Sequence, residues 1–166
     1  MRRFERRRGD PAPSSPVAVV LASDGRGPFS AESVRAVARA ATAGETVAVV
    51  TIARVHGFAL GMPHPGLLPT RQELDERQRW IAEALRQLLD TGLNGDGQLT
   101  ITRSHAKVIA AVARRRDARA VIVDQAPLST ARRLVEGDLG ATVRRRLAGA
   151  GVAVMTVCSS GTAGRR

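Results

Sequence analysis

The chain has 166 residues, 43 % of them apolar, with one cysteine, one tryptophan, three phenylalanines and no tyrosine. That is enough for one domain with an aliphatic core; a single cysteine excludes an intrachain disulfide and a cysteine-cluster metal site, and no run reaches the roughly 18 apolar residues of a membrane span. The net charge of +11 is almost all arginine, Lys107 being the only lysine. Such a balance suits polyanions such as RNA, ribosomes or anionic membrane surfaces, and equally a solvated surface built with arginine in place of lysine.

Residues 1–16 carry five arginines against Glu5 and Asp10 and end in proline and serine. With little apolar surface to offset ordering entropy, they read as a flexible basic arm. No apolar segment follows MRRFERRRGD, so it is not a secretory signal, and a cytoplasmic location is expected. Val17 to Ala22 is a continuous β-branched run, the pattern of a strand buried on both faces. After the turn Ser23 to Pro28, Ser30 stands at an N-cap position, and Ser33, Val34, Val37, Ala38 and Ala41 mark one face of a helix ended by Gly44. Thr46 to Ile52 is a second buried strand, and residues 55–69, rich in Gly, Pro and His, form a long loop.

Thr70 and Glu73 have the spacing of a capping box. Leu74, Ile81, Leu85, Leu88 and Leu89 supply the apolar stripe of the helix that follows. Gly92 to Gly97 reads as a break, Gln98 to Arg103 as a strand, and Ala106 to Arg116 as a short helix. Ala120 to Val123 is a buried strand, Gly137 to Leu147 a helix, and Val152 to Val157 the last strand. Cys158, at the end of that apolar run, is expected as a packed thiol. Strands alternating with helices predict a Rossmann-like open parallel sheet with helices on both faces. In such sheets a ligand crevice opens at the carboxyl ends of the strands where the strand order reverses. That places the loops after residues 22, 52 and 123 at the site. The expected division is an arm at 1–16, one α/β domain at 17–158 and a disordered tail at 159–166.

Three segments carry a family resemblance: Val19-Val-Leu-Ala-Ser-Asp-Gly25, Glu45-Thr-Val-Ala-Val-Val-Thr-Ile52, and Asp117 to Gln125 running through Gly137-Asp-Leu-Gly140 to Ala153–Val157. In order and content they resemble the universal stress protein family over residues 17–157. The resemblance implies a five-stranded parallel sheet of order 3-2-1-4-5, a homodimer formed through the last strand, and a role in stress response. It also implies an ATP site in members that carry G-x-x-G, nine residues, then G-S or G-T after the fourth strand. Glycines there let the backbone approach the phosphates, and the following helix N-terminus supplies amides and a positive dipole.

The sequence departs from that motif. Gln125 stands at the first glycine, Leu128 at the second, and Pro127 removes an amide between them. Gly137 is the third glycine, one residue early, followed by Asp138 in place of the hydroxyl. Asp138 and Asp124 would both repel a phosphate. Asp138 is also explained as an acidic residue in the first turn of a helix. The adenosine end is kept: Asp24 matches the ribose-contacting aspartate and Ile52 the residue whose backbone reads the adenine edge, with Ser23 beside them. Asp24 also fits a turn aspartate bonding its own backbone ahead of Gly25.

His56, His64 and His105 have no metal-ligand spacing, no G-x-S-x-G elbow is present, and the turn Asp24-Gly-Arg-Gly27 holds only part of a phosphate loop. Arg114–Arg116 and Arg144–Arg146 lie near helix ends, where they suit the C-terminal dipole or an anion-binding surface. The expected protein is a non-catalytic regulatory or scaffolding module with no metal and no firmly held cofactor. Two alternatives stand beside it. One is an ATP- or AMP-binding stress protein with a phosphate loop rebuilt around Arg26, Arg132 or Arg133. The other is a basic accessory protein that binds a ribosome or nucleic acid through its arginine-rich arm.

Overall fold

In the computed structural model, residues 16–54, 68–126 and 138–158 are described. Five strands and four helices alternate along them: β1 (Val19–Ser23), α1 (Ala31–Ala40), β2 (Thr46–Arg54), α2 (Arg71–Asp90), β3 (Asn94–Thr102), α3 (His105–Arg115), β4 (Ala120–Gln125), α4 (Leu139–Leu147) and β5 (Ala153–Cys158). All strand pairs are parallel, and the sheet order is β3-β2-β1-β4-β5. The expected Rossmann-like sheet with helices on both faces is therefore observed.

The β-branched runs explain why the sheet is central. Every residue of β1 is buried, because alternate side chains feed two separate cores. Val19, Leu21, Val47, Val49 and Ile122 pack against Val34 and Val37 of α1 and Ile81, Ala84 and Leu88 of α2. Val20, Ala22, Val50, Ile52, Val121 and Val123 pack against Ile109, Val112 and Ala113 of α3 and Val143 and Leu147 of α4. Local signals set the helix starts. The Ser30 side chain accepts from the Ser33 amide. At α2 the capping box closes as expected: Thr70 Oγ1 accepts from Glu73 N, and Glu73 Oε2 accepts from Thr70 N at 2.7 Å.

Four expectations are corrected. β3 starts at Asn94, not Gln98, and Gly95 and Gly97 lie inside it. A Cβ on Gly95 would stand 2.3 Å from Leu85 Cδ2, and one on Gly97 2.4 Å from Ile81 Cγ2. These glycines let α2 lie close on the strand; they do not break it. Leu89, assigned to the apolar stripe, is 66 % exposed, because it falls outside the face of α2 that buries Ile81, Ala84 and Leu88. Cys158 is exposed, since β5 is an edge strand with no neighbour on one side among the described residues. Arg116, grouped with Arg114 and Arg115, lies beyond the end of α3 and is buried, where its guanidinium pairs with Asp96 of β3. Among the described residues no helix is long and apolar enough to cross a membrane.

Candidate functional site

β1 has β2 on one side and β4 on the other, so the strand order reverses at its end. The chain leaving β1 makes a tight turn there. Ser23 Oγ accepts from Gly25 N at 3.0 Å, and Asp24 Oδ1 accepts from Arg26 N at 3.1 Å. The second bond is an Asx turn, and Arg26 Nε returns to Asp24 Oδ2 at 3.6 Å. Gly25 has φ +74, and a Cβ on it would sit 1.8 Å from the carbonyl oxygen of Ile52. Only glycine permits this turn to press against the end of β2.

Ile52 buries its side chain toward α3 and α4. Its carbonyl oxygen accepts from Arg77 Nε at 3.3 Å. Arg77 is held over the crevice by two further contacts. One nitrogen donates to the Glu73 carbonyl at 2.8 Å, and the guanidinium lies 5.6 Å from the Trp80 ring centroid, within cation–π reach. The Ile52 backbone, expected to read a nucleobase edge, thus already has its carbonyl bonded by α2. Sequence reasoning missed Arg77; the one available signal was its spacing of three from the only tryptophan, which places both on one helix face.

At the end of β4 the two polar side chains point to opposite faces. Asp124 turns toward α1: its Oδ2 accepts from Ser30 N at 2.6 Å and from Ser33 Oγ at 2.8 Å. The carboxylate is buried at the positive end of a helix, where a negative charge is stabilised. Gln125 follows Val121 and Val123 on the α3 and α4 side and is buried, and its Oε1 has no hydrogen-bond partner among the described residues. An orphaned buried acceptor is rare in folded proteins, and this one lies at the carboxyl end of β4 beside the switch point. His105, at the start of α3, is also buried. Among the described residues no group of three or more His, Cys, Asp or Glu is placed to hold a metal ion.

Asp138 is the N-cap of α4. Its Oδ1 accepts from Ala141 N at 3.0 Å. A helix N-terminus draws anions because its first amides have no intrahelical partner, and here the chain's own carboxylate takes one of them. Gly137, Pro127, Leu128, Arg132 and Arg133 lie outside the described residues, as do His56 and His64. The structure therefore brings Ser23, Asp24 and Ile52 together at one end of the sheet, with Asp124 and Gln125 beside them at the end of β4.

The class these features define is a doubly wound α/β protein with a crevice at its topological switch point. No protein-family model and no curated protein matches the sequence. Solved structures do match. A universal stress protein from Archaeoglobus fulgidus has TM-score 0.56 at 16 % identity, over 86 % of this chain and 93 % of that one. A universal stress protein in complex with cAMP has TM-score 0.55 at 18 % identity, over 88 % and 100 %. The Archaeoglobus fulgidus universal stress protein in complex with dAMP has TM-score 0.51 at 16 % identity, over 87 % and 98 %. The fold of this chain is that of the universal stress proteins.

Proposed function

We propose that the chain is a non-catalytic regulatory module of the universal stress protein family, which works by binding and not by turnover. Its crevice takes a mononucleotide or adenosine moiety at most and does not cradle a triphosphate through a glycine loop. The observation that carries this reading is the Asp138 cap on α4. A carboxylate on the helix N-terminus both uses an amide and repels the phosphates that the site would otherwise attract. At the adenosine end the Asx turn at Asp24 and the Arg77 bond to Ile52 compete with a nucleoside for the same groups, which sets a weakly held mononucleotide as the upper bound. The neighbours solved with dAMP and cAMP support a mononucleotide as the ligand class.

Thermal unfolding with AMP, cAMP and ATP tests it. A ligand at 100 times its dissociation constant adds about 2.7 kcal/mol to the folded state. The expected result is an ATP shift no larger than that of AMP at equal concentration. A shift with ATP well above that with AMP would overturn the reading and favour a phosphate loop rebuilt around arginine.

The same module is proposed to dimerise through β5. Exposed Ala153 and half-exposed Met155 lie on an edge strand whose outer backbone has no partner strand among the described residues. Unpaired edges of this kind pair readily with another chain. Light scattering should give twice the chain mass for the native protein and a monomer for Met155→Glu; a monomeric native protein would remove the proposal.

A further inference from the structure

The two helix layers carry very different charge. α1 and α2 together hold six arginines and six carboxylates. α3 and α4 hold Lys107, Arg114, Arg115, Arg144, Arg145 and Arg146 and not one carboxylate. Five of these six cations lie in the last turns of two helices that pack side by side, and the Arg114 guanidinium donates to the Arg146 carbonyl across the gap. All five are exposed. They gather where the strands begin, as the bond from Val17 N to the Arg116 carbonyl just past α3 shows, so the patch lies at the opposite end of the sheet from the crevice.

What sets these arginines apart is that their own two helices offer no carboxylate, whereas the arginines of α1 and α2 share those helices with six. Arg26, Arg86, Arg116 and Arg119 each hold a carboxylate. Among the described residues none of the five does. Their hydrogen bonds go to neutral oxygens: Arg114 to Arg146 O, Arg144 to Val154 O and Arg145 to Thr142 Oγ1. Two last turns would gain from one or two cations for their dipoles; five without a counter-charge exceed that need and repel one another.

We propose that this α3–α4 face is a docking surface for the phosphodiester backbone of a nucleic-acid duplex. The guanidinium fork matches phosphate oxygens in bidentate geometry, and the patch is all arginine. Single strands are bound largely by stacking bases on aromatic rings. Neither helix carries Phe, Tyr or Trp, the one imidazole, His105, is buried at the far end of α3, and Phe29 and Trp80 are placed with α1 and α2. Interfacial membrane helices set large apolar side chains beside their cations. Among the described residues the exposed large apolar side chains are Leu68, Leu89, Ile101 and Met155, none of them on α3 or α4. What remains is backbone contact without base reading. The inference is independent of whether the crevice holds a nucleotide.

The test is binding of the full chain to a fluorescent 20-base-pair DNA duplex over a salt series, read by anisotropy. Each phosphate neutralised contributes about 0.9 to the log–log salt slope. Replacing Arg114, Arg115, Arg144, Arg145 and Arg146 with Gln should flatten that slope by about 4.5. Because Arg114 and Arg144 also bond backbone carbonyls, the triple variant Arg115→Gln, Arg145→Gln, Arg146→Gln guards against misfolding and should flatten it by between about 2 and 3. The loss should persist when Arg2, Arg3, Arg6, Arg7 and Arg8 of the arm are also Gln. A control that removes the same charge from the other layer, Arg35, Arg39 and Arg79→Gln, should change the slope by less than about 1. Equal loss in the control, an unchanged slope in the triple, or binding to phosphatidylserine vesicles without duplex binding would each overturn the proposal.

Discussion

Replacing Asp124 with alanine removes a carboxylate that ties the end of β4 to the start of α1. Its Oδ2 accepts from Ser30 N at 2.6 Å and from Ser33 Oγ at 2.8 Å, and both Asp124 and Ser33 are buried. Hydrogen bonds to a charged group contribute about 1.5–3 kcal/mol each, so losing two should destabilise the fold by about 3–6 kcal/mol. Asp124→Asn keeps an acceptor oxygen but loses the charge at the helix N-terminus, a loss of about 1–2 kcal/mol. Urea unfolding measures both directly, and at about 2–4 °C per kcal/mol the alanine variant should melt roughly 10 °C lower. Destabilisation below about 1 kcal/mol for Asp124→Ala would refute the reasoning, because a buried pin between two elements cannot be removed so cheaply. A normal melting temperature with lost nucleotide binding would instead assign the carboxylate to a ligand.

Three other perturbations follow from the geometry. Glu45 accepts from Arg119 at 2.6 Å through both oxygens and also from the Thr42 amide, and the Arg119 bonds hold its carboxyl down at about 2. A depressed folded pKa means that the stabilisation is present above the unfolded value of 4.5 and is lost as pH falls through about 2. In an NMR titration Arg119→Gln should return Glu45 toward its ordinary value; a Glu45 that titrates near 4.5 in the native protein would contradict the pairing. Gly25→Ala forces a side chain into a positive-φ turn and 1.8 Å from the Ile52 carbonyl, which should cost at least about 2 kcal/mol by thermal unfolding; an unchanged melting temperature would mean that the turn is not held against β2. Arg77→Ala frees the Ile52 carbonyl, so AMP affinity by calorimetry should rise about 2- to 10-fold, the worth of one hydrogen bond; unchanged or weaker binding would mean that Arg77 does not compete for that acceptor.

What the sequence made legible was local. The run from Val17 to Ala22 and the Thr70–Glu73 box each act within a few residues; the box appears as expected and the run forms a buried strand shifted to Val19–Ser23. What it hid was long-range. Gly95 and Gly97 read as chain breakers, because nothing nearby announces that α2 must lie on that strand. Cys158 looked packed, since an apolar run does not say whether its strand is central or at an edge. Asp124 read as a charge near a phosphate loop, but its partners lie more than 90 residues earlier, in α1. Arg116 looked like one of three surface arginines until burial paired it with Asp96. At the crevice, Asp24 and Ile52 could be read from their strand ends. The Arg77 contact depends on how α2 crosses the end of β2, which no local pattern encodes.

The most direct test of the account is a calorimetric titration of the full chain with AMP and with ATP under the same conditions. If the Asp138 cap leaves the phosphates unanchored, the two dissociation constants should agree within about threefold, less than 1 kcal/mol apart. ATP binding tenfold or more tighter than AMP, at least 1.4 kcal/mol, would require a phosphate site and contradict the account.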